Sequence, residues 1–142
     1  MPGGGLFQRR WDELAPAVRG IPVGRKCQRI HVLHGARSPE AEGAAIGSYL
    51  CHYADGSTQA VDIVYGADVR SFYPWALDPK REIQRGKLAW AGANPVSIQA
   101  QGEVRLYLRS YENPRPEAEV ASLDFLSRLT ASAPFLVAIT VE

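Results

Sequence analysis

The sequence predicts an all-β protein, an antiparallel β-sandwich of about eight strands. Three observations carry this. Short runs of β-branched and aromatic residues are separated by turn residues from residue 27 onward. Two of the runs alternate with period two. No segment shows the 3.6-residue apolar period of an amphipathic helix.

Taken in order, residues 1–26 carry Gly3-Gly4-Gly5, three prolines and Gly20, and they read as an arm ahead of a single domain at 27–142. The first run is 28–35. The second, 45–54, is apolar on both faces, as in a central strand covered on both sides. Asp55-Gly56 supplies a hairpin turn, because glycine takes the positive φ the turn needs, and 58–65 returns. Residues 71–86, with Pro74 and Pro79, form the longest internal loop. A short strand at 87–91 ends at Gly92-Ala-Asn-Pro. The strand at 103–111 puts Val104, Leu106 and Leu108 on one face and Arg105, Tyr107, Arg109 and Tyr111 on the other. Strands at 118–127 and 134–141 complete the set. In the last, Phe135, Val137, Ile139 and Val141 share a face.

Composition narrows the function classes. The chain has 142 residues, 46% hydrophobic and 22% charged, enough for one domain with an ordinary core. A net charge of +1 argues against nucleic acid as a partner. Arg9, Arg10, Arg19, Arg25, Lys26 and Arg29 outweigh Asp12 and Glu13 early in the chain, which reads as a solvated basic segment. No run approaches the roughly 18 apolar residues of a membrane span, and no signal-peptide pattern is present. The expectation is therefore no membrane insertion, and an extracytoplasmic setting only if the domain is part of a larger exported protein. Cys27 and Cys51 are too few for a disulfide scaffold, and both a bridge and two buried thiols fit the sequence.

Catalytic motifs are missing. There is no Gly-x-Ser-x-Gly elbow, no phosphate-cradling glycine loop, and no marked carboxylate pair among Asp62, Asp68 and Asp124. His31 and His34 point to opposite faces of one strand, and His34 shares its face with Ile30 and Val32 as a core histidine would. His34 and His52, on strands taken as adjacent, form a weak metal or acid–base pair that defines a small metal-dependent enzyme as one alternative. A binding site is better supported. Asp68, Arg70, Tyr73 and Trp75 fall in one loop region, Trp90 and Asn94 end a strand, and Tyr111 and Asn113 close another. An aromatic platform edged by Asp, Asn and Arg suits the apolar faces and hydroxyls of sugars. The structural alternative reads Trp75 or Trp90 as plugs at the sandwich end and Asp68–Arg70 as a loop-fixing ion pair.

Five runs carry a resemblance: Gly20-Ile-Pro-Val-Gly-Arg-Lys-Cys-Gln-Arg-Ile-His-Val-Leu-His-Gly, Gly47-Ser-Tyr-Leu-Cys-His-Tyr-Ala-Asp-Gly, Ile63-Val-Tyr-Gly-Ala-Asp-Val-Arg, Leu88-Ala-Trp-Ala-Gly-Ala-Asn-Pro and Pro134-Phe-Leu-Val-Ala-Ile-Thr. Over residues 20–142 they resemble a poorly characterised bacterial β-sandwich module related to galactose-binding-like jelly rolls and carbohydrate-binding modules. The resemblance implies an accessory domain with its ligand in loops at one end, at Asp68, Arg70, Trp75, Trp90, Asn94 and Asn113. It implies no cofactor beyond, in some members, a structural calcium. The chain departs from that pattern in two places. Residues 1–19 stand where the module has a further strand, which leaves an exposed edge suited to a homodimer. Tyr111 stands where the module has tryptophan. The sequence thus predicts a non-catalytic binding module for carbohydrate, or, alternatively, one for a protein partner that uses the polar stripe Arg105, Tyr107, Arg109 and Tyr111 or a free edge strand.

Overall fold

The computed structural model describes residues 17–72, 80, 82–92, 104–128, 130 and 132–142. The described residues form eight strands and no helix: β1 (Ala17–Arg25), β2 (Arg29–Ala36), β3 (Ala45–Tyr53), β4 (Thr58–Val64), β5 (Lys87–Gly92), β6 (Val104–Glu112), β7 (Val120–Ser127) and β8 (Pro134–Val141). They make two four-stranded sheets, β1-β7-β3-β4 and β5-β6-β2-β8, with every named pairing antiparallel. The predicted all-β class is what the chain adopts.

The two sheets share one core. The first contributes Ile46, Tyr49, Cys51, Ile63, Val120, Leu123 and Phe125, and the second Ile30, Val32, Ala36 and Tyr111, with Leu136, Ile139 and Val141 packed against them. Burial on one face of each sheet produces the alternation seen in β3, where Tyr49, Cys51 and Tyr53 are buried and Ser48, Leu50 and His52 are half-buried. Strand β3 is central in its sheet, as predicted, but is covered on one side rather than both.

The hairpin at β3–β4 forms as expected. Gly56 takes φ 90°, Tyr53 N–H donates to Ser57 O at 2.9 Å, and Asp55 Oδ1 accepts from the Ser57 backbone at 2.9 Å and its hydroxyl at 2.6 Å.

Three local expectations need correction. The arm extends no further than residue 16, because Ala17–Arg25 is an edge strand on β7. Its Gly20, Pro22 and Gly24 disguise it. The register shifts between Val18 and Ile21 and again between Pro22 and Arg25, and the two glycines sit at φ 71° and 67°. In β6 the polar stripe is the inner face. Arg105 and Tyr107 are fully buried and Tyr111 nearly so, while Leu106 and Leu108 are half-buried on the outer face. In β8 the pairing with β2 jumps from Leu33↔Ala138 to His34↔Leu136, leaving Val137 as the extra residue of a bulge. Leu136 therefore joins Ile139 and Val141 on the core side, and Val137 stands 53% exposed. Phe135 covers Gly35 on the other face and meets Phe72 edge-on at 5.0 Å between centroids.

Candidate functional site

Asp68 sits at the centre of a buried polar network. After β4 the chain turns at Gly66, with φ 85°, and Ala67 and Asp68 donate their N–H groups back to Val64 O. The turn drives the Asp68 carboxylate inward to zero exposure. Its Oδ2 accepts Val64 N–H at 2.7 Å and Arg85 Nη2 at 2.7 Å; its Oδ1 accepts Arg85 Nε at 3.1 Å and Arg109 Nε at 2.9 Å. A buried carboxylate is tolerated only when its charge is matched and its lone pairs filled, and both conditions are met. The Arg109 guanidinium also lies 4.2 Å from the centroid of the Tyr111 ring.

His34 extends this network. Its Nε2 lies 3.1 Å from Asp68 O and its Nδ1 lies 2.8 Å from the Tyr49 hydroxyl. A carbonyl only accepts, so Nε2 carries the proton and Nδ1 accepts from Tyr49. Burial holds the imidazole neutral, lowering its pKa to about 4. Burial pushes the Tyr49 and Tyr111 phenols above the ordinary tyrosine range. The Tyr111 hydroxyl has no hydrogen-bond partner among the described residues.

The other predicted polar residues are also engaged within the fold. Arg70 donates to Glu42 Oε1 at 2.5 Å and to Glu82 O at 2.6 Å, so Asp68 and Arg70 do not form the loop-fixing pair expected from their spacing. Asn113 joins three segments: its Nδ2 donates to Cys27 O at 2.7 Å, and its Oδ1 accepts from Tyr53 Oη at 2.6 Å and Arg115 N at 3.0 Å. Arg105 donates to Ser71 O through Nε at 3.1 Å and Nη2 at 2.7 Å, and to Lys80 O through Nη1. Asp68, Arg70, Tyr111 and Asn113 are thus interior groups rather than a solvent-facing set. Tyr73, Trp75 and Asn94 lie outside the described residues.

The histidine pair does not assemble. His34 belongs to one sheet and His52 to the other. His52 Nε2 lies 2.7 Å from Asp124 Oδ2, with Arg19 Nη1 at 3.5 Å from the same oxygen and Gly20 N–H donating to Oδ1 at 2.8 Å. Burial pulls the Asp124 pKa up, but the Gly20 amide, His52 and Arg19 outweigh it and the net direction is down. Among the described residues no group of three or more His, Cys, Asp or Glu is placed to hold a metal ion. Cys27 and Cys51 are free and buried; burial raises both thiols, Cys51 to about 11, which leaves them unreactive near neutral pH.

Among the described residues predicted to bind ligand, Trp90 alone faces solvent, at 51% exposure. It belongs to an apolar area on the outer face of the second sheet. Trp90 pairs with Leu106, and the cross-strand row Lys87–Leu108–Leu33–Ala138 runs beside it. Phe135 and exposed Val137 continue the area. The far end of the same face is polar. There His31 contacts Ser110 Oγ at 2.6 Å and Glu142 at 3.1 Å, and Arg29 pairs with Glu112 at 2.8 Å and Glu142 at 3.1 Å. Next to β5 a cleft of about 510 Å³ is lined, among the described residues, by Glu82, Ile83, Gly86, Lys87 and Leu88.

Sequence reasoning missed Arg85, Glu42 and Asp124 as partners of the buried groups. Asp124 had a detectable signal, a lone acid in the apolar run Val120–Leu126. Arg85 and Glu42 lie in irregular segments with no such mark. Fold and site together define a class: an all-β two-sheet domain with a structural ionic interior and one apolar outer face. Comparison of the chain with family models, with curated proteins and with solved structures finds no match to any of them.

Proposed function

We propose that the chain is a non-catalytic binding module that docks a protein partner through the outer face of the second sheet. The observation that carries this reading is the apolar area formed by Trp90, Leu106, Leu108, Leu33, Phe135 and Val137. A contiguous apolar patch rimmed by polar residues has the composition of an interaction core, and tryptophan is enriched at such centres. Its aliphatic content favours a protein over a sugar, since sugar C–H faces stack on aromatic rings. The polar groups expected to bond a sugar at Asp68, Arg70 and Asn113 are occupied internally. A photo-cross-linking residue at position 108 should capture a discrete protein adduct in the native host. Trp90→Ser with Val137→Thr should abolish that adduct. A folded protein that yields no adduct would refute the reading.

A carbohydrate-binding role of the galactose-binding-like, jelly-roll kind is the second reading, favoured by the cleft of about 510 Å³ beside β5, a volume within the usual range for small-ligand sites. Binding on a glycan panel that is lost in Lys87→Ala, with the cross-link unchanged, would select it.

A further inference from the structure

Among the described residues strand β4 is an unblocked edge, and the one register shift in its pairing, between Ala45 and Gly47, lies on β3 opposite its last two residues. Of the four edges in the two sheets, β1 carries Pro22 and two register shifts, β5 a shift between Leu88 and Trp90, and β8 Pro134 and the Val137 bulge. These devices keep edges from pairing with other chains. Strand β4, Thr-Gln-Ala-Val-Asp-Ile-Val, holds no proline, glycine, lysine or arginine. Its single charge, Asp62, is paired with Arg128 at 3.0 Å. Thr58, Gln59, Ala60 and Asp62 are exposed.

The ladder shows which backbone groups face outward. Tyr53 N–H bonds Ser57 O, so Tyr53/Ser57 is a hydrogen-bonded pair. Alternation makes Cys51/Gln59 and Tyr49/Val61 the next bonded pairs. Thr58, Ala60 and Asp62 therefore turn their N–H and C=O groups to the open side. The next outward amide, Val64 N–H, is capped by Asp68 Oδ2 at 2.7 Å. The free template thus ends where the Asp68 network begins.

We infer that β4 pairs antiparallel with β4 of a second copy about a two-fold axis at Ala60. That register opposes Ala60 to Ala60 and Thr58 to Asp62, and every outward group between Thr58 and Asp62 finds a partner. It sets no like charges opposite each other, and the small Ala60 side chains admit close approach. The inner side chains Gln59 and Val61 border an apolar hollow with Tyr49, Cys51, Tyr111 and Leu123, which the second copy's Gln59 and Val61 roof. The two first sheets become one continuous sheet. The contact is independent of the second sheet's outer face.

Sedimentation equilibrium of the full chain over a wide concentration range tests this. The wild type shows a concentration-dependent dimer. Thr58→Lys, set opposite Asp62 of the other copy, tightens it several-fold, and Thr58→Asp weakens it several-fold. Ala60→Pro removes an outward N–H without breaking the internal ladder and abolishes the dimer. The Thr58 series decides the matter even if the proline variant does not fold. Trp90→Ser leaves the dimer intact, which separates this contact from the protein-docking face. A monomer at all concentrations, or a dimer indifferent to charge at position 58, overturns the inference.

Discussion

His34 shows how burial sets the chemistry of a single residue. An unfolded chain protonates its imidazole near 6.5, whereas the folded protein does so only near 4. Between these values the unfolded state binds more protons, so stability falls as the pH drops through the window. This displacement corresponds to about 3 kcal/mol, present in full above pH 6.5 and lost as the pH falls to about 4. Urea midpoints should show this loss, and His34→Gln should reduce the slope over the same range. A neighbouring contrast concerns two phenols. Tyr49→Phe removes the donor to His34 Nδ1 and leaves a buried acceptor unmet, at a cost of about 1–3 kcal/mol. Tyr111→Phe removes a hydroxyl with no partner among the described residues and should be near neutral in the same assay. His34 was legible as a core residue because it follows Ile30 and Val32 on one face of its strand. Asp68 was not legible as interior, because its inward turn depends on Gly66 at φ 85° and on Arg85 and Arg109, brought 17 and 41 residues away in sequence into contact.

Strands were legible where period and turn chemistry agreed, as at β3–β4, and were misread where a polar side chain filled the core. In β6 both faces alternate cleanly, and the sequence alone does not say which is inside. The pairings Ile30↔Tyr111 and Val32↔Arg109 decide it, because they align the Arg/Tyr face with the buried face of β2. Tyrosine rings then supply apolar volume, and the arginines reach carbonyls and Asp68. Strand β1 was hidden by the glycines and proline that make it an edge. Its hold on β7 depends partly on Asp124, which accepts the Gly20 amide and contacts Arg19 and His52. Asp124→Ala should therefore speed amide hydrogen exchange in Ala17–Arg25 more than in β3 or β7. Equal protection in all three would mean that the ladder alone holds β1.

Across the whole molecule, polar and apolar residues have partly exchanged their usual places. The interior at one end holds Asp68, Arg105, His34 and Ser71, while the outer face of the second sheet shows Trp90 and Val137. Sequence patterning assigns apolar faces to the core by default, so this inversion was illegible until the register was known. The arrangement separates stability from recognition, and that separation is measurable. Ile63 has no exposure, and Ile63→Ala should cost roughly 2–5 kcal/mol through lost contacts and an unfilled cavity. Val137 is 53% exposed on a bulge, so Val137→Thr should stay within about 0.5 kcal/mol of wild type. Trp90 packs over Gly92 at 51% exposure, which gives Trp90→Ser an intermediate cost of about 1 kcal/mol. Retention on a hydrophobic matrix should follow the reverse order: falling with Trp90→Ser and Val137→Thr, and unchanged in folded Ile63→Ala. If the two surface variants instead unfold the protein as readily as Ile63→Ala, the outer face is part of the fold's own support and not a docking surface.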